Sequence, residues 1–322
     1  MLTTRRAPGL ALAVMGGSTA LLVHGLVPVL SPTLVGIALG LAFASTNRIP
    51  SLARPGLQVA SRQVLRLGVA LLGLQLVLGD IVGLGWPVLL VIFGVVAVGI
   101  LGTLGLGRVF GVDAETSLLV ACGFSICGAA AVAGVEGVRR TKDEDVATVI
   151  SLVVVCGSVA MLAVPALASA LGLGTLAAGA WSGASIQEVG QVVVAGGLIG
   201  GAALQVAVVV KLGRVLMLAP VLAVVSYRSR RTTSAHRPPL VPGFVLAFVG
   251  LVLMRSFVPL PGTSLALASF VQAGALAAAM FALGCGVNPS VLGRTGRPVL
   301  LLAGAATLLV TGLGLPAAYL AG

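Results

Sequence analysis

The chain has 322 residues, 58% of them hydrophobic and only 8% charged, with 45 glycines and a mean hydropathy of +1.17. Soluble domains run near 45–50% apolar and about 25% charged, so the composition excludes a soluble enzyme or binding module and predicts an all-α polytopic membrane protein. At about 20 residues per spanning helix, little length remains for a soluble part, and residues 1–322 are expected to form a single membrane domain.

The net charge of +11, from 19 Lys and Arg against 8 Asp and Glu, would in a soluble domain point to nucleic acid. Here the basic residues fall mainly in short gaps between apolar stretches, the positive-inside pattern, so the lipid bilayer is the expected partner and nucleic acid is not. The four cysteines, Cys122, Cys127, Cys156 and Cys285, lie in apolar segments without CxxC spacing. They read as small buried residues, and neither a disulfide framework nor a metal site is expected. No cofactor is implied either: the glycine-rich stretch 102–107 lacks GxGxxG spacing, a Walker lysine and any βαβ context.

In chain order, Arg5 and Arg6 precede an apolar run from Pro8 to Val29 without a small-residue cleavage site, taken as the first span. Further apolar segments follow at 31–47, 63–79, 86–108, 116–134, 146–171, 181–200, 202–226, 240–259, 264–285 and 298–320, eleven with the first. The breaks carry turn chemistry or charge: Ser31-Pro32, Asn47 to Arg66 with Pro50 and Pro55, Gly85-Trp86-Pro87, Arg139 to Asp145, Arg228 to Pro239, and Pro259 to Gly262. Trp86, Trp181, Tyr227 and Tyr319 each fall near a predicted segment end, where interfacial aromatics are expected.

Five basic clusters fix the direction of threading: Arg5/Arg6; Arg48, Arg54, Arg62 and Arg66; Arg139, Arg140 and Lys142; Arg228, Arg230, Arg231 and Arg237; and Arg294 with Arg297. All should face the cytoplasm, together with the N-terminus. If all eleven segments cross fully, the Arg139 cluster lands outside. The conflict disappears if 116–134 and 181–200 are re-entrant or broken, the first dipping from the cytoplasm and the second from outside, which leaves nine crossings. These two segments are also odd in composition, with Cys122-Gly123-Phe124-Ser125-Ile126-Cys127-Gly128 in one and Gly183-Ala184-Ser185-Ile186-Gln187-Glu188 in the other. Interrupted backbone at membrane depth is tolerated only around a protein-lined or watery site. Partial offset of the cluster by Asp143, Glu144 and Asp145 is the alternative.

Setting Leu72–Leu90 beside Leu283–Leu301 matches Leu72/Leu283, Gly73/Gly284, Gly85/Gly296, Pro87/Pro298 and Val88/Val299 at an offset of 211. At 210, Pro32/Pro242, Val35/Val245, Gly40/Gly250 and Leu41/Leu251 coincide. The repeat-related parts are then 8–108 and 202–320 around a central block 115–200, in opposite orientations, which is the organisation of many secondary transporters. A further echo, Gly123-x-Ser125-Ile126 against Gly183-x-Ser185-Ile186, does not fit that offset. Gly36-xxx-Gly40, Gly196-xxx-Gly200 and Gly197-xxx-Gly201 are expected to let helices pack closely.

Glu188 in an interrupted segment, and Lys211 and Arg214 inside the span 202–226, are charges at membrane depth, each costing at least about 2.5–3.5 kcal/mol at the bilayer centre. Lys211 and Arg214 are three apart and share a helix face, so they pair with Glu188 or present positive charge to an anion. Half-helix N-termini would add anion-binding N–H groups, and Ser125 and Ser185 would add hydroxyl donors or else bond local carbonyls. His24 and His236 lie away from the predicted core, and no nucleophile–base constellation or HExxH motif appears, so an enzyme is not expected.

At these same residues the chain resembles the YeiH-type family of bacterial membrane proteins, which carries a sulfate-exporter label. The resemblance covers roughly residues 30–320 and rests on Ser125-Ile126-Cys127-Gly128-Ala129, on Trp181-Ser182-Gly183-Ala184-Ser185-Ile186 running to Gln191-Val192-Val193, and on Val210-Lys211-Leu212-Gly213-Arg214 running to Pro220. It departs from the family pattern at Phe124, where Thr is usual, and at Gln187-Glu188, where His-Asp is usual. Glu188 keeps the acid, whereas Gln187 does not titrate. The expected function is therefore a multi-pass secondary transporter of a small anion, sulfate or an organic sulfonate, in the bacterial cytoplasmic membrane. Substrate binding falls to Gly123, Ser125, Cys127, Gly128, Ser185, Gln187, Lys211 and Arg214, and coupling to a proton or sodium falls to Glu188. A homo-oligomer is compatible with this reading. The alternatives are a sodium/proton exchanger built on Glu188 and a non-transporting membrane scaffold.

Overall fold

The computed structural model describes residues 6–27, 30, 32–46, 49–139, 141–232, 243–286 and 296–320. Of the residues used above, Arg5, Val29, Ser31, Asn47, Arg48, Arg140, His236, Arg237, Pro239, Pro242 and Arg294 lie outside the described residues. Among the described residues all regular structure is helical, as an apolar chain that must satisfy its backbone internally requires. Among the described residues six helical stretches, two of them divided by a break into two helices, are long and apolar enough to cross a membrane, and shorter apolar helices accompany them.

The chain divides into two compact units. The first comprises Met1–Gln75, Lys142–Thr148 and Phe244–Thr295. It holds α1 (Ala7–Leu26), α2 (Pro32–Ser45), α3 (Arg54–Val59), α4 (Leu65–Leu71), the start of α9 (Asp143–Ala170), α14 (Gly243–Phe257) and α15 (Gly262–Gly286). Small residues bring its helices together: a Cβ at Gly17 would sit 2.7 Å from the backbone of Ala278, one at Gly36 2.6 Å from the Ala277 carbonyl, and one at Gly284 2.5 Å from the Ile37 carbonyl. The expected packing role of Gly36 and Gly40 is thus realised against α15. Phe43 and Phe281 close the same region with ring centroids 6.2 Å apart.

Residues 54–66, read from sequence as a break, are helical instead: α3 continues through a π-helical turn, Ala60–Val64, into α4. Pro55 sits in the first turn, where its missing N–H has no intrahelical partner to lose. Arg62 points to the outside and the Arg66 guanidinium lies 5.9 Å from the Phe244 ring centroid, so the charges do not interrupt the helix.

The second unit comprises Leu76–Thr141, Val149–Gly243 and Gly296–Gly322. It holds α5 (Leu78–Gly83), α6 (Trp86–Val109), α7 (Ala114–Ser125), α8 (Ala129–Arg139), most of α9 (Asp143–Ala170), α10 (Thr175–Ser185), α11 (Val189–Ile199), α12 (Gly201–Leu216), α13 (Leu218–Thr232), α16 (Arg297–Gly314) and α17 (Pro316–Leu320). The predicted span 202–226 is two helices meeting at Met217, with Pro220 in the first turn of α13. Two expectations are corrected in this unit. Trp181 is buried rather than interfacial, its indole N–H donating to the Thr311 carbonyl at 2.9 Å, whereas Trp86, Tyr227 and Tyr319 are exposed. Gly197 and Gly201 face open space, because the chain turns at Gly200 and they do not share one helix.

Candidate functional site

Two helical hairpins build the site. In the second, a Cβ at Gly179 would meet the backbone of Ala203 and one at Gly183 that of Ala207. Lys211 reaches the Ile186 carbonyl, so α10 runs parallel to α12. Gly196 of α11 lies against Leu204, and α11 joins α12 through Gly200 alone, so α11 runs antiparallel to α12. Thus α10 and α11 double back, with Gly200 beside Thr175 at the open end and Ile186–Glu188 at the tip. In the first hairpin, Glu115 in the first turn of α7 forms an ion pair with Arg139 in the last turn of α8, at 3.3 Å. Both ends of this segment therefore lie together, with the tip at Ile126–Gly128.

Only α9 separates the two hairpins in sequence. Its 28 residues span about 42 Å at ~1.5 Å per residue, more than the ~30 Å hydrocarbon core. The hairpins therefore enter from opposite ends of α9. The segments 116–134 and 181–200, expected to be re-entrant or broken, are broken: each falls in a pair of short helices folded back at a non-helical tip.

The tips meet on one face of α12. Lys211 Nζ donates to the carbonyls of Ile126 and Ile186, both at 2.8 Å. Arg214 donates from Nε to Ser125 O (3.2 Å), from Nη2 to Phe124 O (3.0 Å), and from Nη1 to Ala184 O (2.7 Å), Ile186 O (3.1 Å) and Gly183 O (3.3 Å). Both cations are fully buried. They cap the carbonyl ends of α7 and α10, which carry the negative end of the helix dipole and have no intrahelical partners. These bonds of Lys211 and Arg214 run to main-chain oxygens, a fastening role that the sequence reading did not anticipate.

Glu188 takes the complementary place at the helix N-termini. It caps α11 in a reciprocal arrangement, accepting from the Gln191 N–H while the Gln191 side chain accepts from the Glu188 N–H at 3.2 Å. Its side chain also lies against Gly128 at the first hairpin's tip: a Cβ there would sit 2.6 Å from Glu188 Cγ and 3.2 Å from Oε1. Gly128 has φ +74°, the left-handed region that costs other residues about 1–2 kcal/mol, so glycine serves both the turn and the approach. Lys211 and Glu188 interact electrostatically across the tips.

Ser125 Oγ, Ser185 Oγ and both polar atoms of the Gln187 side chain are buried and find no partner in the protein. Ser125 Oγ abuts Gly99 of α6 and Ser185 Oγ abuts Gly314 of α16, where a Cβ would sit 2.6 and 2.7 Å away. Cys127 lies at the first tip, nearly buried with a free thiol. Gly123 makes room for Val132 and Val153, 2.8 and 3.2 Å from a Cβ built there. All nine residues singled out from sequence thus belong to the two tips or to the α12 face that binds them. Sequence reasoning missed Gln191, which ties Glu188 to α9 through Val154 O (3.1 Å) and Ser158 Oγ (3.4 Å). The Glu188-x-x-Gln191 spacing, a capping signature, is the signal that finds it. Gly99 and Gly314 carry no local signal.

Fold and site define an all-α polytopic membrane protein with two paired helical hairpins. The family model described as conserved hypothetical protein 698 matches residues 8–303, and the chain belongs to that family. A UPF0324 membrane protein of Corynebacterium glutamicum is 46% identical over 312 residues, covering 96% of this chain and 90% of the relative. UPF0324 membrane proteins of Bacteroides thetaiotaomicron (34% identical, 85% and 84% covered) and Staphylococcus epidermidis (30% identical, 87% and 89% covered) are also similar. No solved structure matches the chain.

Proposed function

We propose that this chain is a secondary transporter of a small anion, of the sulfate or organic sulfonate class, working by alternating access in the bacterial cytoplasmic membrane. The observation that supports this reading is the meeting of two opposed hairpin tips at a buried centre holding two cations, Lys211 and Arg214, against the carboxylate of Glu188. A scaffold has no need of interrupted helices at depth, and buried intramembrane charge is characteristic of substrate or proton pathways. With both hairpins re-entrant and nine segments crossing, a cytoplasmic N-terminus puts all five basic clusters on the cytoplasmic side.

Glu188 is the residue assigned to coupling, because it touches both tips and carries the acid of the site. A cation exchanger built on Glu188 alone is the second reading. The test is radiolabelled sulfate flux in proteoliposomes with imposed proton or sodium gradients, wild type beside Glu188→Gln. Glutamine retains an oxygen to cap α11 but neither charges nor carries a proton. Gradient-driven flux in the wild type and gradient-independent flux in the variant are expected. Absence of anion flux in folded wild-type protein, with cation-dependent pH changes in its place, sinks the anion reading in favour of exchange.

A further inference from the structure

Lys211 and Arg214 direct their donors at carbonyls, whereas the groups left without partners at the same tips are neutral: the hydroxyls of Ser125 and Ser185 and the amide of Gln187, all fully buried. Buried polar groups are ordinarily satisfied, so an orphaned set in a transport site asks for a ligand. The three lie within one neighbourhood. Ser125 and Ser185 end the first arms of the two hairpins. The Cβ position of Gly99 that meets Ser125 Oγ is also 3.5 Å from Val310 Cγ2. Gly314, which meets Ser185 Oγ, is one turn further along α16, about 6 Å by helical rise. Only Ile186 separates Ser185 from Gln187, and its carbonyl is held by the two cations.

The chemistry of this set selects a ligand. Two buried cations beside it against one carboxylate disfavour a metal ion or ammonium and favour an anion. The serine hydroxyls and Gln187 Nε2 donate to anionic oxygens, and Gln187 Oε1 is left as an acceptor that a bare sulfate dianion cannot use. Resting on the transport reading above, we propose that Ser125, Ser185 and Gln187 form a neutral hydrogen-bonding subsite for a small organic oxoanion carrying a hydroxyl of its own, with Lys211 and Arg214 supplying countercharge through the hairpin tips.

The experiment is equilibrium binding to the purified full-length protein, with 2-hydroxyethanesulfonate, ethanesulfonate and inorganic sulfate as probes. Wild type binds the hydroxylated sulfonate about tenfold more tightly than ethanesulfonate, the worth of one well-made hydrogen bond. Gln187→Leu abolishes that preference, and Ser125→Ala and Ser185→Ala each weaken both sulfonates. Since the hydroxyls have no protein partner, the two alanine variants keep or raise the melting temperature of the ligand-free protein, which separates lost binding from lost folding. Equal binding of the two sulfonates by wild type, or unchanged binding in all three variants, overturns the subsite while leaving sulfate flux to stand. Failure of every probe to bind folded wild type, together with absent flux, overturns both.

Discussion

Arg214 holds Phe124, Ser125, Gly183 and Ala184 carbonyls that Lys211 does not touch, while the Ile186 carbonyl accepts from both. The two cations are therefore unequal as fasteners. Removing Lys211 leaves Ile126 O alone without its donor and relieves the desolvation of one ammonium; removing Arg214 orphans four carbonyls across both hairpins. A hydrogen bond to a charged group contributes about 1.5–3 kcal/mol, so Arg214→Met is expected to lower stability by more than about 3 kcal/mol and Lys211→Met by clearly less. Thermal melts in detergent read the order, and equal losses or unchanged melting would remove the fastening role. The shared face of these cations was legible from their spacing of three. Their partners were not, because a sequence displays charges but not which backbone oxygens a broken helix leaves without donors. Ser125 and Ser185 illustrate the reverse: their repeated Gly-x-Ser-Ile context marked them, and the same context places them at equivalent ends of two hairpins.

Each hairpin is a short pair of helices, and helices of 11 or 12 residues are marginal without caps and tertiary contacts. The first is secured at its open end by Asp113, whose carboxylate accepts from the Glu115 and Thr116 N–H groups at 3.1 and 3.0 Å. Partial burial pushes the Asp113 carboxyl up, but the hydrogen bonds from Thr116 and Glu115 outweigh it and hold the group below its ordinary value. A depressed folded value means that the stabilisation is complete above the unfolded value, near pH 4, and is lost as pH falls through the folded value. Wild-type melting temperature should accordingly drop below about pH 4 with a component missing in Asp113→Ala, which itself loses about 1 kcal/mol at neutral pH. Identical acid profiles for the two proteins would remove Asp113 from the account. The hairpins were legible in outline because one basic cluster broke the threading rule beside two segments rich in small and polar residues. The helix over 54–66 was not, since prolines and arginines punctuate a chain unless the proline falls in a first turn and the arginines reach past the helix, as Pro55 and Arg62 do.

At the scale of the molecule, the sequence offered two offsets that no single duplication explains, near 60 and near 211. The element order accommodates both. The three-helix series α2, α3–α4, α6 corresponds at 210–211 to α14, α15, α16, and the hairpin-plus-helix series α7–α8, α9 corresponds at about 60 to α10–α11, α12–α13. The two blocks stand in opposite order in the two halves, so each offset holds within its block and fails outside it. The partition into units respects the pairing: α2 with α14 and α3–α4 with α15 fall in the first unit, α6 with α16 and the two hairpins in the second. Glycine caps repeat accordingly, Gly85 before α6 and Gly296 before α16, each followed by a first-turn proline. Inversion of the copies requires the open ends of the two hairpins on opposite membrane faces, the first with the basic clusters. In a cysteine-free background, Ala114→Cys, Thr141→Cys and Arg228→Cys should resist a membrane-impermeant maleimide in intact cells, whereas Gly174→Cys and Pro261→Cys react, and all five should react after permeabilisation. Reaction at Thr141 with protection at Ala114 would mean that the first hairpin crosses the bilayer, and with it the inverted arrangement of the tips would fall.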